Sequence, residues 1–370
     1  MEGKRVGVIG GGQLAWMMAA EAPKLGIELN VQADTPDEPA VSRAKQVVFA
    51  EVDDAEGTAE LANLCDVVTF ENEFIDLPAL QKLTQPIIFR PSLNSLAPLL
   101  DKYDQRSFLQ NIGLSVPKFS LGLSEAEYEF PVVLKARRHG YDGQGTFVVK
   151  DEQALAALPE RVPLAELLVE EFVPFKKELA VIAARSASGE TAIYPVTETF
   201  QKSQVCHWTI TPADIDEDIA ERVKAIARTI LERLEVVGVF GIELFLTDDN
   251  KVLVNEIAPR THNSGHYTLD ACDTSQFAMQ LKAVTDLPLG STDLKSAGAV
   301  MVNLLGFEES ESDYKAKRDR ILEIPQSFVH WYDKTSRPGR KLGHVTVLLD
   351  ADRSTQAQSI ISDIESIWYE

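Results

Sequence analysis

Residues 5–33 read as a short apolar run (RVGVI), a glycine loop (GGGQ), a helical stretch closed by Gly26 (LAWMMAAEAPKLG) and a second apolar run (IELNVQA). Strand, helix and strand at this spacing make a βαβ unit. Parallel strands need such a crossover, and its helices must cover the sheet, so the unit commits this part of the chain to an α/β layer structure. QVVFAE and DVVTFEN, with the helical DAEGTAELANLC between them, continue the alternation to about residue 95. One doubly wound domain is expected over 1–100. Gly10, Gly12 and Ala15 satisfy G-x-G-x-x-G/A, and Asp34 ends the second strand where a dinucleotide fold carries its ribose-binding acid. A dinucleotide-dependent oxidoreductase is one reading of this segment.

The pattern then changes. LDKYDQRSFLQNIGLSVPKF predicts a helix stopped by Gly113 and Pro117, and hairpin-like strands follow. Residues 101–190 form a compact α+β unit with a glycine-rich turn. Residues 191–295 hold a strand at TAIYPVTETF, a long helix at DIDEDIAERVKAIARTILERL and the strands VFGIELFLT and KVLVNEIA. Residues 296–370 are strand-rich with a closing helix at 354–368.

Charge limits the partners. The 57 acidic and 36 basic residues give a net charge of -21, which argues against a general nucleic-acid or anionic-membrane surface. An anionic ligand requires a local basic pocket. No apolar run approaches the ~18–20 residues of a membrane span, and no leader pattern opens the chain. Cys65, Cys206 and Cys272 are scattered, so a reduced, cytoplasmic setting is expected.

Five constellations carry chemistry. In LKARRHGYDGQGTFVVK, Gly140, Gly143 and Gly145 let backbone N–H groups approach an anion, with Lys135, Arg137 and Arg138 beside them. A P-loop would continue into a helix, so this is a hairpin flap suited to polyphosphate, or else a charged surface hairpin. In the second, a four-residue tip from Asp248 to Lys251 sets Thr247 opposite Val252 and Glu243 opposite Glu256. Facing carboxylates repel unless a hard cation such as Mg²⁺ sits between them, and Asn255 offers a further oxygen. A tip one residue longer would turn the acids to opposite faces, leaving two solvated side chains.

The third is VEEFVPFKKE, where Glu170, Glu171, Phe172 and Val173 offer backbone polar groups to a base edge and a carboxylate to a ribose. In EIAPRTHNSGHYT the spacing of His262 and His266 suggests zinc, but Pro259 and the intervening Asn263, Ser264 and Gly265 disfavour a helix carrying both. Arg260, His262 and Asn263 match a small oxyanion better, and His266 equally suits packing within the loop. HWYDKTSRPGRKLGH gathers Lys334, Arg337, Arg340 and Lys341 around a Pro-Gly turn, a pattern for phosphate or carboxylate.

GGGQLAWMM, GYDGQGT, NEIAPRTHNSGH and HWYDKTSRPGRKLGH, in this order over nearly the whole chain, resemble the ATP-grasp superfamily and, within it, the N5-carboxyaminoimidazole ribonucleotide synthetases of purine biosynthesis. The resemblance implies an ATP-grasp fold with an N-terminal Rossmann-like domain and a small C-terminal β-rich domain. It also implies that ATP, bicarbonate and 5-aminoimidazole ribonucleotide react to give the N5-carboxylated nucleotide, ADP and phosphate in a cytoplasmic homodimer. Lys102 and Lys135 would hold phosphates under a flap of Gly140, Tyr141, Asp142, Gly143, Gln144, Gly145 and Thr146. Glu170, Glu171, Phe172 and Val173 would line adenine, Glu178 would face the ribose, and Gln201 stands where the family often has a histidine. Glu243, Glu256 and Asn255 would hold Mg²⁺, with two ions expected.

By the same resemblance Arg260, His262 and Asn263 would bind bicarbonate and the carboxyphosphate made from it. Asp142 or the departing phosphate would take the amine proton. Gln13, Leu14, Glu73, Tyr141, Asp142, Arg260 and His262 would position the nucleotide, with Lys334, Arg340 and Lys341 on its 5′-phosphate. The chain departs from the family where GQLGRM is usual, with Ala15 and Trp16, and at His139, where glycine is frequent.

Overall fold

The computed structural model describes residues 3–123, 129–138, 145–158, 164, 166–350 and 353–370. Flap residues Gly140, Tyr141, Asp142, Gly143 and Gln144, together with His139, lie outside them.

Strands Arg5–Ile9, Glu28–Ala33, Val47–Phe49 and Val67–Phe70 form a parallel sheet in which the first strand lies between the second and the fourth. Val8 sits between Val31 and Thr69. Helix Gln13–Glu21 packs Met17 and Met18 on one face, and helix Ala55–Asn63, capped by the Asp54 side chain, packs Leu61 on the other. The first of these cores also receives Phe277, Leu281 and Val284 from the distant helix Gln276–Val284. Each such side chain contributes about 1.5–3 kcal/mol by leaving water, and Gln280 adds a hydrogen bond from its amide to the Thr69 hydroxyl at 2.7 Å, so this late helix is bound to the N-terminal sheet by packing and by a buried polar contact.

A second, antiparallel sheet runs in space Phe119–Leu121, Leu168–Glu171, Val132–Lys135, Thr146–Val149. The third sheet runs Val252–Ala258, Gly238–Thr247, Phe175–Arg185, Thr197–Lys202, Val205–Thr211, Gly298–Leu305, Lys341–Leu349, Ser327–Trp331, with Thr191–Ile193 also paired to Phe175–Arg185. This one sheet passes through residues on both sides of position 295. Helix Glu217–Leu234 repeats Ile219, Val223, Ile226, Ile230 and Leu234 at helical spacing and buries that stripe with Leu179, Phe240 and Ile242. At the far end, helix Arg353–Tyr369 packs Ile361, Ile364 and Trp368, and the Trp368 indole donates to the Leu305 carbonyl at 2.8 Å.

TAIYPVTETF is not one strand. It divides into Thr191–Ile193 and Thr197–Lys202, because Pro195 has no N–H to give a central ladder. Between the small sheet, the large sheet and the glycine loop of the first domain opens a cavity of about 1330 Å³.

Candidate active site

The hairpin Gly238–Thr247 to Val252–Ala258 places Glu243 opposite Glu256, but by a different route from the one the sequence suggests. Leu246, not Thr247, pairs with Val252, so the tip is a residue longer than expected. That alone would turn the acids apart. A β-bulge between Val254 and Glu256 takes Asn255 out of the ladder and restores the facing pair. This strand is a sheet edge, and its exposed backbone is met from helix Lys102–Asn111: Gln105 accepts from the Ile257 N–H at 2.8 Å and donates to the Ile257 carbonyl at 3.0 Å.

Cations gather around the pair. Asp101 caps helix Lys102–Asn111 by accepting from the Tyr103 and Asp104 N–H groups, which sets Lys102 at the first turn, where its Nζ donates to Glu256 Oε2 at 2.7 Å. Arg137 holds Asp101 at 2.8 Å. Lys135 donates to Asn255 Oδ1 at 3.1 Å and ion-pairs with Glu170 at 2.7 Å. Arg106, one helical turn beyond Lys102, also pairs with Glu170. The Glu170 carboxylate is therefore buried and fully committed. Its side chain anchors the Lys135 ammonium, because a lysine so deep needs a counter-charge, and the residue lines the cavity.

The charges separate the acids. Burial and then the Glu256 charge push the Glu243 carboxyl up to about 7. Burial also raises Glu256, but Lys102 and Lys135 outweigh it and hold that carboxyl below its ordinary value. Burial and the Glu243 charge lift Glu178 to about 7. At Glu170 burial is overcome by Lys135 and Arg106, leaving the carboxyl at about 2. A divalent cation would fit between Glu243 and Glu256, since it would offset the burial and the repulsion that raise the Glu243 carboxyl; their oxygen-only donors suit Mg²⁺. The Asn255 oxygen is engaged by Lys135.

Arg260 follows strand Val252–Ala258, and its Nε lies 3.1 Å from a Glu73 carboxylate oxygen. His262 Nε2 is 3.6 Å from Glu243 Oε1, and its Nδ1 is 2.8 Å from Ser264 Oγ. Gln276 brackets the same residue, accepting from the His262 N–H at 2.9 Å and donating to its carbonyl at 2.7 Å. Asn263 exchanges two hydrogen bonds with Asn303. His266 is fully buried, with Nδ1 3.1 Å from the Gln276 amide nitrogen and its ring against His344 and Phe277. The two histidines do not form a zinc site: among the described residues no three His, Cys, Asp or Glu side chains are arranged around a metal position.

At the other end of the cavity, Lys334 donates to Gln13 Oε1 at 2.5 Å, and Arg337, Arg340, Lys341 and Leu14 line the wall beside them. Burial, then Arg337, lowers the Arg340 guanidinium. The glycine loop is already occupied by protein acids. Glu71 accepts from the Gly12 N–H at 2.5 Å and the Leu14 N–H at 2.9 Å, and Glu38 accepts from the Gly11 N–H at 2.9 Å. These are the donors a dinucleotide pyrophosphate would need, so the oxidoreductase reading fails.

Glu171, Phe172, Val173, Glu178, Gln201 and Thr146 line the remaining side of the same cavity. Glu171 accepts from the Lys118 N–H at 2.9 Å, and the Gln201 N–H bonds to the Glu178 carboxyl. Gly145 has φ +76°, and a Cβ there would come within 2.8 Å of the Ala136 Cβ, so the base of the flap needs glycine. Arg106, Glu71, Gln276 and Asn303 were missed by sequence reasoning. Arg106 carried a signal in its i,i+4 spacing from Lys102, and Asn303 in being an amide within a buried apolar run.

Comparison with known proteins identifies the family. Residues 107–277 match the ATP-grasp domain, 3–98 the ribonucleotide synthetase preATP-grasp domain, and 299–358 the phosphoribosylaminoimidazole carboxylase C-terminal domain. The N5-carboxyaminoimidazole ribonucleotide synthase of Synechocystis is 54% identical over 380 residues, covering 98% of each chain. The N5-carboxyaminoimidazole ribonucleotide synthetase structure from Thermotoga maritima is 40% identical with a TM-score of 0.87, covering 98% of each chain. The synthase structure from Aspergillus clavatus, in complex with ADP and 5-aminoimidazole ribonucleotide, is 30% identical with a TM-score of 0.89, covering 100% of this chain and 99% of that one. With its three domain matches, its full-length relatives and its ATP-grasp fold, the chain belongs to the N5-carboxyaminoimidazole ribonucleotide synthase family of ATP-grasp ligases.

Proposed function

We propose that the protein carboxylates 5-aminoimidazole ribonucleotide on its exocyclic amine, using ATP and bicarbonate and releasing ADP and phosphate. The observation that carries this reading is a single cavity joining the cation-flanked acids, the Arg260–Asn263 loop and the basic turn from Lys334 to Lys341.

Lys102 and Lys135 neutralise the ATP phosphates, and the backbone from Glu171 to Val173 meets the base, with Glu178 toward the ribose. Glu243, Glu256 and Asn255 would hold Mg²⁺, with two ions expected, and the metal would supply charge neutralisation on the phosphates. A bicarbonate oxygen attacks the γ-phosphorus, the bond to ADP breaks, and carboxyphosphate forms. Arg260, His262 and Asn263 offset its negative charge with N–H donors. Its C–O bond then breaks, giving phosphate and CO₂ beside the amine, whose nitrogen bonds to carbon as it loses a proton. Asp142, outside the described residues, or the departing phosphate takes that proton.

Gln13, Leu14 and Glu73, with Tyr141 from the flap, orient the aminoimidazole nucleotide, while Lys334, Arg340 and Lys341 hold its 5′-phosphate. Exclusion of water from the site would limit hydrolysis of carboxyphosphate. A cytoplasmic homodimer is the setting the family resemblance supports.

The test is phosphate release from ATP and bicarbonate, with and without 5-aminoimidazole ribonucleotide. Release stimulated by the nucleotide and lost in Glu256→Gln is the expected result. Release indifferent to the nucleotide would refute the substrate assignment.

A further inference from the structure

Every residue of strand Gly298–Leu305 is buried, and one of them, Asn303, carries an amide. A primary amide in such a place must have its hydrogen-bonding groups satisfied. Asn303 Nδ2 donates to the Cys206 carbonyl at 2.9 Å and to Asn263 Oδ1 at 2.9 Å, while Asn303 Oδ1 accepts from Asn263 Nδ2 at 3.0 Å. The polarity of the pair follows from the carbonyl. The Cys206 oxygen accepts and cannot donate, so the nitrogen of Asn303 must face it. With that end fixed, the oxygen of Asn303 faces Asn263 and demands a donor, and its second N–H demands an acceptor. Asn263 can answer only with its oxygen and one hydrogen turned toward Asn303.

What Asn263 keeps is its other Nδ2 hydrogen, which in a reciprocal amide pair points away from the partner. Asn263 lines the cavity beside Arg260 and His262, whereas Asn303 lies behind it, 2% exposed. Unconstrained, an asparagine could present its carbonyl to the cavity as readily as its amine. We propose that Asn303 is a positioning residue that locks the Asn263 amide with a donor toward the cavity and so selects a small oxyanion there. The proposal rests on the role given above to Asn263 and extends it to a residue contributed by the strand after the ATP-grasp domain match.

A double-mutant cycle tests it, with initial rates measured against bicarbonate and against ATP, and with thermal melts of each variant. Asn263→Ala is expected to raise the bicarbonate KM by roughly tenfold or more, the range for a hydrogen bond to a charged group. Asn303→Ala should raise the same KM several-fold while leaving the ATP KM within about twofold, and the double variant should be no worse than Asn263→Ala. The isosteric Asn303→Asp, which presents acceptors to both partners, should raise the bicarbonate KM likewise and serves if the alanine variant does not fold. Effects of the two alanine changes that simply add, or an Asn303 variant that moves the melting temperature and both KM values together, would overturn the proposal while sparing the role of Asn263. A bicarbonate KM unchanged in Asn263→Ala would overturn both.

Discussion

Glu243 faces Glu256 across the hairpin because Asn255 is bulged out of the ladder, so the extra residue at the tip and the extra residue in the strand cancel. The bulged residue is held by Lys135, which ties the register of one hairpin to a cation from another sheet. Burial, and then the facing Glu256 charge, push the Glu243 carboxyl up to about 7. Glu178 is raised to about 7 as well. Both folded values lie above the ordinary 4.5, so the ligand-free protein loses stability from these groups as pH rises from about 4.5 to about 7. In the role proposed for Glu243, magnesium-ATP would bind its ionised form. Calorimetric titration near pH 6.5, in buffers of different ionisation heat, should show proton release on binding; Glu243→Gln should reduce that release and weaken affinity at least about tenfold, which is about 1.4 kcal/mol. Equal heats in all buffers for the unaltered protein would contradict this.

Glu170 is the counter-ion for both Arg106 and Lys135. Glu170→Gln leaves two buried cations facing an amide and should destabilise the fold by about 3–5 kcal/mol, measured by denaturant unfolding at neutral pH. Its carboxyl sits at about 2 against an ordinary 4.5, so this contribution is complete above 4.5 and is lost as pH falls toward 2. The difference between the two proteins should therefore shrink on acidification. A difference independent of pH down to 2 would show that the pair contributes through shape rather than charge.

Gly12 has no room for a methyl group, because an added Cβ would lie 2.5 Å from Glu71 Oε1. Gly12→Ala should displace Glu71 from the start of the first helix and disturb Gln13, the partner of Lys334. The expected outcome is a rise of roughly tenfold in KM for 5-aminoimidazole ribonucleotide, about 1.4 kcal/mol, with KM for ATP nearly unchanged. Equal rises for both substrates would place the damage in global folding instead.

Gln276 holds both backbone groups of His262 and touches His266. Gln276→Leu strands these groups, each at a cost of about 1–3 kcal/mol if it stays buried. We expect a lower melting temperature together with more ATP hydrolysed per nucleotide carboxylated, because the His262 loop is no longer held against Glu243. Unaltered coupling would show that His262 keeps its position without the bracket.

The sequence by itself determined the elements and the family: the βαβ opening, the stripe on helix Glu217–Leu234 and the four ordered motifs are local patterns, legible wherever a period or a spacing repeats. It also placed Lys102, Lys135, Glu243, Glu256, Arg260 and His262 in one chemical set, and the cavity gathers them. Tertiary structure alone decided which of the acids are available. Glu170 looks like a ligand-facing carboxylate in the sequence, yet it is paired with Arg106 and Lys135, and Glu71, which no motif singled out, is taken up by a helix start. The partners lie in other elements, and whether a charge is satisfied depends on what is packed against it, a relation between segments that no local pattern carries. Asn303 and Gln276 belong to the same class. Their amides act on Asn263 and His262 through contacts 40 and 14 residues apart in the chain, and such contacts exist only once the sheets and the connecting helix have closed around the cavity.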